Sequence, residues 1–122
     1  MNALDHVAAI PPQRIWAGVL GRALHGDRLT LALVELEPGA VVPEHEHAHE
    51  QAGLVVAGTV TFTVAGEARD LGPGGTWLIP GGAPHAVEAG PSGAVVIDVF
   101  SPPRSDWEEV EREEPRTPKW PL

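Results

Sequence analysis

Pro43-Glu44-His45-Glu46-His47-Ala48-His49-Glu50-Gln51 puts three of the chain's six histidines within five residues. On a strand, successive side chains point to opposite faces, so His45 and His47 share one of them. Two imidazoles on one face, joined by a third from another strand, suit a single metal ion bound by nitrogen and oxygen donors. His85, just after the Pro80-Gly81-Gly82 turn, is the candidate third donor. His49 shares the parity of His45 and His47 only if the strand runs on past it, and a turn before Gln51 breaks that parity. His6 and His25 stand alone and read as surface or hydrogen-bonded residues.

The surroundings of this stretch read as β structure. Apolar, β-branched segments recur at Arg14–Leu20, Arg28–Glu37, Leu54–Ala57, Thr59–Ala65, Glu67–Leu71, Thr76–Ile79, Pro84–Glu88 and Gly93–Phe100. Gly and Pro, 14 and 13 in number, fall between them as turn signals and leave no room for long helices. Such a series predicts an all-β, antiparallel sandwich, jelly roll or closed barrel. At 122 residues the chain is sized for one domain, and 43% hydrophobic content is enough for a core. A net charge of −9 opposes binding to nucleic acid or an anionic membrane surface. There is no cysteine, which excludes thiolate ligation and disulfides. The first residues carry no secretory pattern and no apolar run has membrane length, so a cytoplasmic protein is expected.

The full pattern is Gly39-x5-His45-x-His47-x3-Gln51-x6-Gly58, followed by Gly74-x5-Pro80-x-Gly82-x2-His85. It resembles the two signature motifs of the cupin superfamily. Two positions depart from them: Gln51 stands where Glu is more usual, and Ala89 where Asn often stands. The resemblance implies a cupin jelly-roll barrel over residues 1–104 with one divalent transition metal ion (Zn, Ni, Mn or Fe) inside. The ligands it implies are His45, His47, Gln51 and His85, with Glu50 the competitor to Gln51 if the register slips. Three neutral imidazoles and a neutral amide leave the ion its full positive charge, which favours anionic ligands and Lewis acidity. Gly39, Gly58, Gly74 and Gly82 fall where turns need positive φ or close backbone approach.

A second group lies in Val95-Val96-Ile97-Asp98-Val99-Phe100-Ser101-Pro102-Pro103-Arg104. Alternation puts Val96, Asp98 and Phe100 on one face, and an Asp in such a strand is costly to bury unless paired or functional. Arg104 can either brace the turn by pairing with Asp98 or hold a substrate carboxylate while Asp98 acts as general acid/base. Asp98-x-Phe100-x3-Arg104 behind a site with Gln51 looks like the small KdgF-type cupins of uronate catabolism. That resemblance implies non-redox conversion of a Δ4,5-unsaturated uronate to its linear 5-keto form, with Asp98, Phe100 and Arg104 lining the active site.

Three other readings stay open at this stage. A mononuclear dioxygenase needs a redox metal and an open position for O₂, and a non-catalytic cupin binds a small acid without turnover. Another non-redox isomerase, epimerase or lyase fits the same barrel. Asp106–Glu114, holding six of the 17 acids and bounded by Pro103 and Pro115, is expected to be a short helix or solvated tail within residues 105–122. Arg116–Leu122 is expected to run extended. A homodimer is expected because Leu29–Leu36 is apolar on both faces.

Overall fold

The computed structural model describes residues 3–121. Eight strands follow one another as β1 (Gln13–Trp16), β2 (Val19–His25), β3 (Thr30–Leu36), β4 (Val41–His45), β5 (Glu50–Val64), β6 (Glu67–Leu71), β7 (Thr76–Ile79) and β8 (His85–Ser101). Short 3-10 turns lie at Val7–Ala9 and Ser105–Glu109. Every strand pairing is antiparallel.

The long strands β5 and β8 organise the fold. They pair from Glu50 opposite Ser101 to Val64 opposite His85, and the register slips between Val55 and Ala57 and between Gly58 and Val60. Their other partners change on either side of these bulges. One half of β8 pairs with β3 and the other with β4. The Gln51–Leu54 end of β5 pairs with β7 and its far end with β6. One pair of bent strands therefore carries two sheets, β1-β2-β3-β8-β5-β7 and β4-β8-β5-β6, folded into a jelly roll. The bend needs glycine: a Cβ on Gly58 would collide with the Gly93 carbonyl oxygen.

Alternate residues of these strands fill the space between the sheets. Ala32, Val34 and Leu36 of β3, Val55, Val60 and Phe62 of β5, and Ala94, Val96 and Phe100 of β8 are all buried in one cluster. Each large apolar side chain so buried contributes about 1.5–3 kcal/mol relative to exposure. The fold is thus the all-β jelly roll expected, and Gly39, Gly58, Gly74 and Gly82 all have positive φ.

Several boundaries differ from those read along the chain. Arg14–Leu20 is two strands, because Gly18 with φ of 75° turns the chain between Trp16 and Val19. The segments on either side of Gly58 are one strand, as are those on either side of Gly90–Ser92, since bulges and bends preserve pairing instead of ending it. The acidic stretch after Pro103 does not form a helix over Asp106–Glu114. Only the five-residue 3-10 turn forms, carrying the buried Trp107. Beyond it the chain runs extended against β1: the Gln13 side-chain amide donates to the Trp107 and Val110 carbonyls, and the Glu113 amide to Pro12. Trp107 needs a site in the core, and occupying it draws the following acidic residues along the barrel. Arg116–Pro121 has no regular element, and Leu122 lies outside the described residues. Among the described residues no helix is long and apolar enough to cross a membrane.

Candidate metal centre

Because β5 and β8 bend, the start of β8 and its end face each other across the open end of the roll. His85 opens β8 opposite His45, the last residue of β4. His47 lies beyond the end of β4, so strand parity does not place it beside His45. The chain must turn between β4 and β5. The turn is pinned to the second motif by a hydrogen bond from the Gly82 amide to the His47 carbonyl, 2.8 Å.

Donor atoms of His45, His47 and His85 all lie within 4.8 Å of one another. The hydrogen bonds around them fix which nitrogen is the donor to a metal. Nδ1 of His45 faces the Pro43 carbonyl at 2.9 Å, Nδ1 of His47 the His49 carbonyl at 3.1 Å, and Nδ1 of His85 the Ala83 carbonyl at 2.9 Å. A carbonyl only accepts, so each neutral ring carries its proton on Nδ1 and a lone pair on Nε2. His85 Nε2 is buried with no hydrogen-bond partner. His47 Nε2 is 3.2 Å from Gln51 Oε1, two acceptors facing each other. The Gln51 amide is held that way round because its Nε2 donates to Asp98 Oδ1 at 2.8 Å.

Lone pairs thus converge without a proton between them, which a cation satisfies and apolar packing does not. The residues present fit one divalent metal ion held by three imidazoles, with the Gln51 amide oxygen beside them. Burial lowers the pKa of His47 and His85 below the ordinary imidazole value, with the positive Arg104 and the neighbouring imidazoles adding to it. Both rings are therefore kept in the neutral form that binds metal.

The other expected residues surround this cluster. Asp98 is 8% exposed on the inner face of β8, and its Oδ1 also accepts from the Trp77 indole at 2.8 Å. Burial pushes its carboxyl up to about 6, against the pull of the Gln51 and Trp77 hydrogen bonds and the Arg104 charge. Phe100 is buried, with its ring edge-on to His47.

Arg104 does not pair with Asp98. Its Nε and Nη2 donate to the two carboxylate oxygens of Asp106, at 3.1 and 2.9 Å. The rings of Phe100 and Trp107 lie 4.7 and 4.6 Å from its guanidinium carbon. One edge of the guanidinium is thus tied to Asp106, its carbon lies over two neighbouring aromatic rings, and Nη1 is left without a protein partner among the described residues.

His49 stays out of the cluster. Its Nε2 faces the Pro103 carbonyl, and its own carbonyl orients His47. Glu50 is exposed on β5 opposite Ser101. His6 caps the first 3-10 turn and His25 bonds Thr30, as expected of isolated histidines.

Three tryptophans were not singled out in the sequence. Trp16 stands over His45 with centroids 5.5 Å apart, Trp77 reaches Asp98, and Trp107 backs Arg104. A bulge between Arg14 and Trp16 turns both Ile15 and Trp16 into the cavity, which strict alternation would forbid. The available signal was compositional: four Trp against two Phe and no Tyr is an unusual aromatic set for this length.

The Cupin_2 family model, described as a cupin domain, matches residues 32–100, which hold all four motif-derived ligand positions. The chain belongs to the cupin family. Over 82 residues this cupin is 34% identical to the pectin degradation protein KdgF of Dickeya dadantii strain 3937, covering 66% of this chain and 74% of that one. It superposes on the structure of KdgF from Halomonas sp. with a TM-score of 0.80 and 30% identity, covering 87% of this chain and 98% of the other. An RmlC-like cupin from Shewanella frigidimarina NCIMB 400 matches with a TM-score of 0.82 and 26% identity over 88% and 96% of the two chains. A 79-residue match to oxalate decarboxylase OxdC of Bacillus subtilis strain 168, at 29% identity, covers 61% of this chain but only 20% of that larger protein.

Proposed function

We propose that this cupin is a metal-dependent, non-redox enzyme that opens a Δ4,5-unsaturated uronate to its linear 5-keto-4-deoxy form. The observation that supports it is a cluster of three imidazole donors, two of which, His45 and His85, line one cavity together with a buried carboxyl and an arginine. The similarity to a pectin degradation protein points to the same substrate class.

The reaction is an isomerisation. The C1–O5 hemiacetal bond breaks as the C1 hydroxyl loses its proton, leaving an aldehyde at C1 and an enol at C5. A proton then arrives at C4 as the enol becomes a ketone. His45, His47, His85 and Gln51 hold a divalent ion, which when bound supplies Lewis acidity toward sugar oxygens. Arg104, whose side chain lines the cavity and whose Nη1 has no protein partner among the described residues, takes the substrate carboxylate, and Asp106 with the two aromatic rings holds the guanidinium in place. Asp98 moves the proton. With Oδ1 occupied by Gln51 and Trp77, its other oxygen carries the exchange, and a carboxyl raised to about 6 is suited to both taking and giving a proton near neutrality. Phe100 and Trp16 supply apolar walls against which a sugar ring can lie.

The test is an anaerobic assay of the metal-loaded protein on unsaturated galacturonate, following loss of the C4=C5 absorbance. Turnover with zinc and without oxygen is expected, and a requirement for dioxygen would instead establish the oxygenase reading. Arg104→Lys should impair carboxylate substrates and spare neutral sugars. We also infer a homodimer. Leu24, Leu31, Leu54 and Leu78, exposed by 38% to 69%, share the outer face of one sheet. Light scattering at micromolar concentration should report twice the chain mass.

A further inference from the structure

Beneath the imidazoles lies a chain of buried contacts that the proposed reaction does not by itself require. Trp77 on β7 donates its indole N–H to Asp98 Oδ1, which also accepts the Gln51 amide N–H, each at 2.8 Å. Gly53 stands between them, opposite Trp77 on one side and Asp98 on the other. A Cβ on Gly53 would come within 2.5 Å of Trp77 Nε1 and 2.6 Å of its Cε2, so only glycine leaves the indole its path to the carboxyl. Phe62 stacks on the indole with centroids 4.6 Å apart and an interplanar angle of 26°, which fixes its plane.

The consequence is one of orientation. An indole nitrogen only donates, so it holds Oδ1 of Asp98 turned toward itself as an acceptor. The Gln51 amide shares that oxygen and can satisfy it only with its NH₂ end. Its carbonyl end is left facing His47. Without the indole, the carboxyl is free to swing Oδ1 away, and the amide can turn over and present N–H groups to the imidazole lone pairs, which repels a cation.

We propose that Trp77, given room by Gly53, is a positioning residue that acts through Asp98 to keep the Gln51 carbonyl turned toward the metal-binding imidazoles. It rests on the reading of Gln51 as a metal donor, and is independent of the sugar chemistry.

The experiment is a double-mutant cycle on metal affinity, measured by titrating the metal-free protein with Zn²⁺ against a chromophoric chelator. Trp77→Phe keeps an aromatic ring on Phe62 and removes the N–H. Outer partners of ligating residues typically contribute about 10–100-fold to affinity, and a loss in that range is expected for Trp77→Phe. Gln51→Ala should weaken binding at least as much. The double variant should lose little more than Gln51→Ala alone, since both changes interrupt one path.

Wild-type affinity in Trp77→Phe beside a weakened Gln51→Ala would overturn the positioning role alone, as would additive losses. Unchanged affinity in Gln51→Ala would overturn that role together with Gln51's place as a donor. The wild-type protein supplies a measurement that does not depend on the variants folding. On adding Zn²⁺, the Trp77 indole ¹H–¹⁵N resonance should shift, because polarising the amide carbonyl strengthens its N–H bond to Asp98. A stationary indole signal while the imidazole signals move would refute the relay.

Discussion

Two sets of polar side chains lie in or beside strands that are otherwise largely apolar, one on the outside of the roll and one inside it. On the outer face, Arg22 of β2 and Glu35 of β3 pair at 2.7 Å with side-chain exposures of 0% and 7%. Arg22 also donates to the Arg116 carbonyl at 3.0 Å, and the Lys119 amide donates to Glu35 at 2.9 Å. Within this set, among the described residues, Arg22 Nε is the one fully buried side-chain atom without a partner. On the inner face, Gln51, Asp98 and the three histidines leave lone pairs facing one another. The first set nearly completes its hydrogen bonding within the protein and the second does not. Buried polar groups thus point to a ligand when leftover acceptors converge on one place, which a lone one such as Gln13 Oε1 does not do.

The largest expected effect lies on the inner face. Asp98→Asn keeps an oxygen that can accept from Trp77 and Gln51 but cannot exchange a proton, so on the proposed reaction turnover of an unsaturated uronate should fall about 10²–10⁴-fold. Thermal unfolding should change little by comparison. Near wild-type turnover in the Asp98→Asn variant would place the proton transfer elsewhere.

The matching change on the outer face should reverse this pattern. Arg22→Met leaves Glu35 buried without its counter-charge, which typically costs about 3–5 kcal/mol. The melting temperature should drop by roughly 10–20 °C for a chain of this length. Zinc affinity should stay within a few-fold of the wild type. Strong loss of metal binding in the Arg22 variant would mean that the two faces are coupled and the contrast between them is false.

Acid provides a milder test of the inner set. His47 and His85 have pKa values lowered by burial, so in the metal-free protein they take up protons only below the ordinary imidazole range near 6.5. Protons then compete for the lone pairs less well than a free imidazole would suggest. Zinc should be retained as pH falls through about 6.5 and be released further down, before about pH 4. Dialysis at stepped pH followed by elemental analysis reads this directly, and full occupancy at the acid end would contradict imidazole ligation.

How much of this was legible in the sequence follows from what each feature depends on. The candidate donors could be singled out because metal chemistry restricts residue type and the motifs restrict spacing: His45, His47 and His85 converge, and Gln51 faces His47. Strand parity, however, was the wrong reason for pairing His45 with His47, since a turn does that work. Asp98 stood out as a lone charge in an apolar strand, yet Arg22 and Glu35 are equally isolated and drew no notice. Their partnership depends on cross-strand register and on a C-terminal segment folding back over them, neither of which local pattern encodes. The acidic run reads as a short helix or a solvated tail because its charge dominates its composition, and five of its six acids lie exposed. Trp107 outweighs that charge by packing into the core, and so brings Asp106 to Arg104. Arg104 itself was expected either to brace Asp98 or to face substrate, and the register of the turn gave its paired edge to Asp106.

The smallest expected effect is the sharpest test of the contrast. Replacing both outer partners, as Arg22→Met with Glu35→Leu, removes the charges together and fills the space with apolar volume. Desolvating two ions offsets most of what their attraction returns, so exchanging a buried pair for hydrophobic residues is often neutral or stabilising. The Arg116 carbonyl and Lys119 amide that lose partners sit on an exposed segment where water can replace them. The double variant should therefore recover most of the stability lost in Arg22→Met, and its zinc affinity should match the wild type. No such compensation is available on the inner face: a Gln51→Leu, Asp98→Leu pair is apolar and well packed on paper, but His47 and His85 would still present lone pairs to each other with fewer groups to hold a cation. If chemical denaturation shows the outer double variant to be as unstable as Arg22→Met alone, the outer pair contributes something beyond mutual neutralisation. The distinction between satisfied and unsatisfied burial would then be inadequate for this sheet.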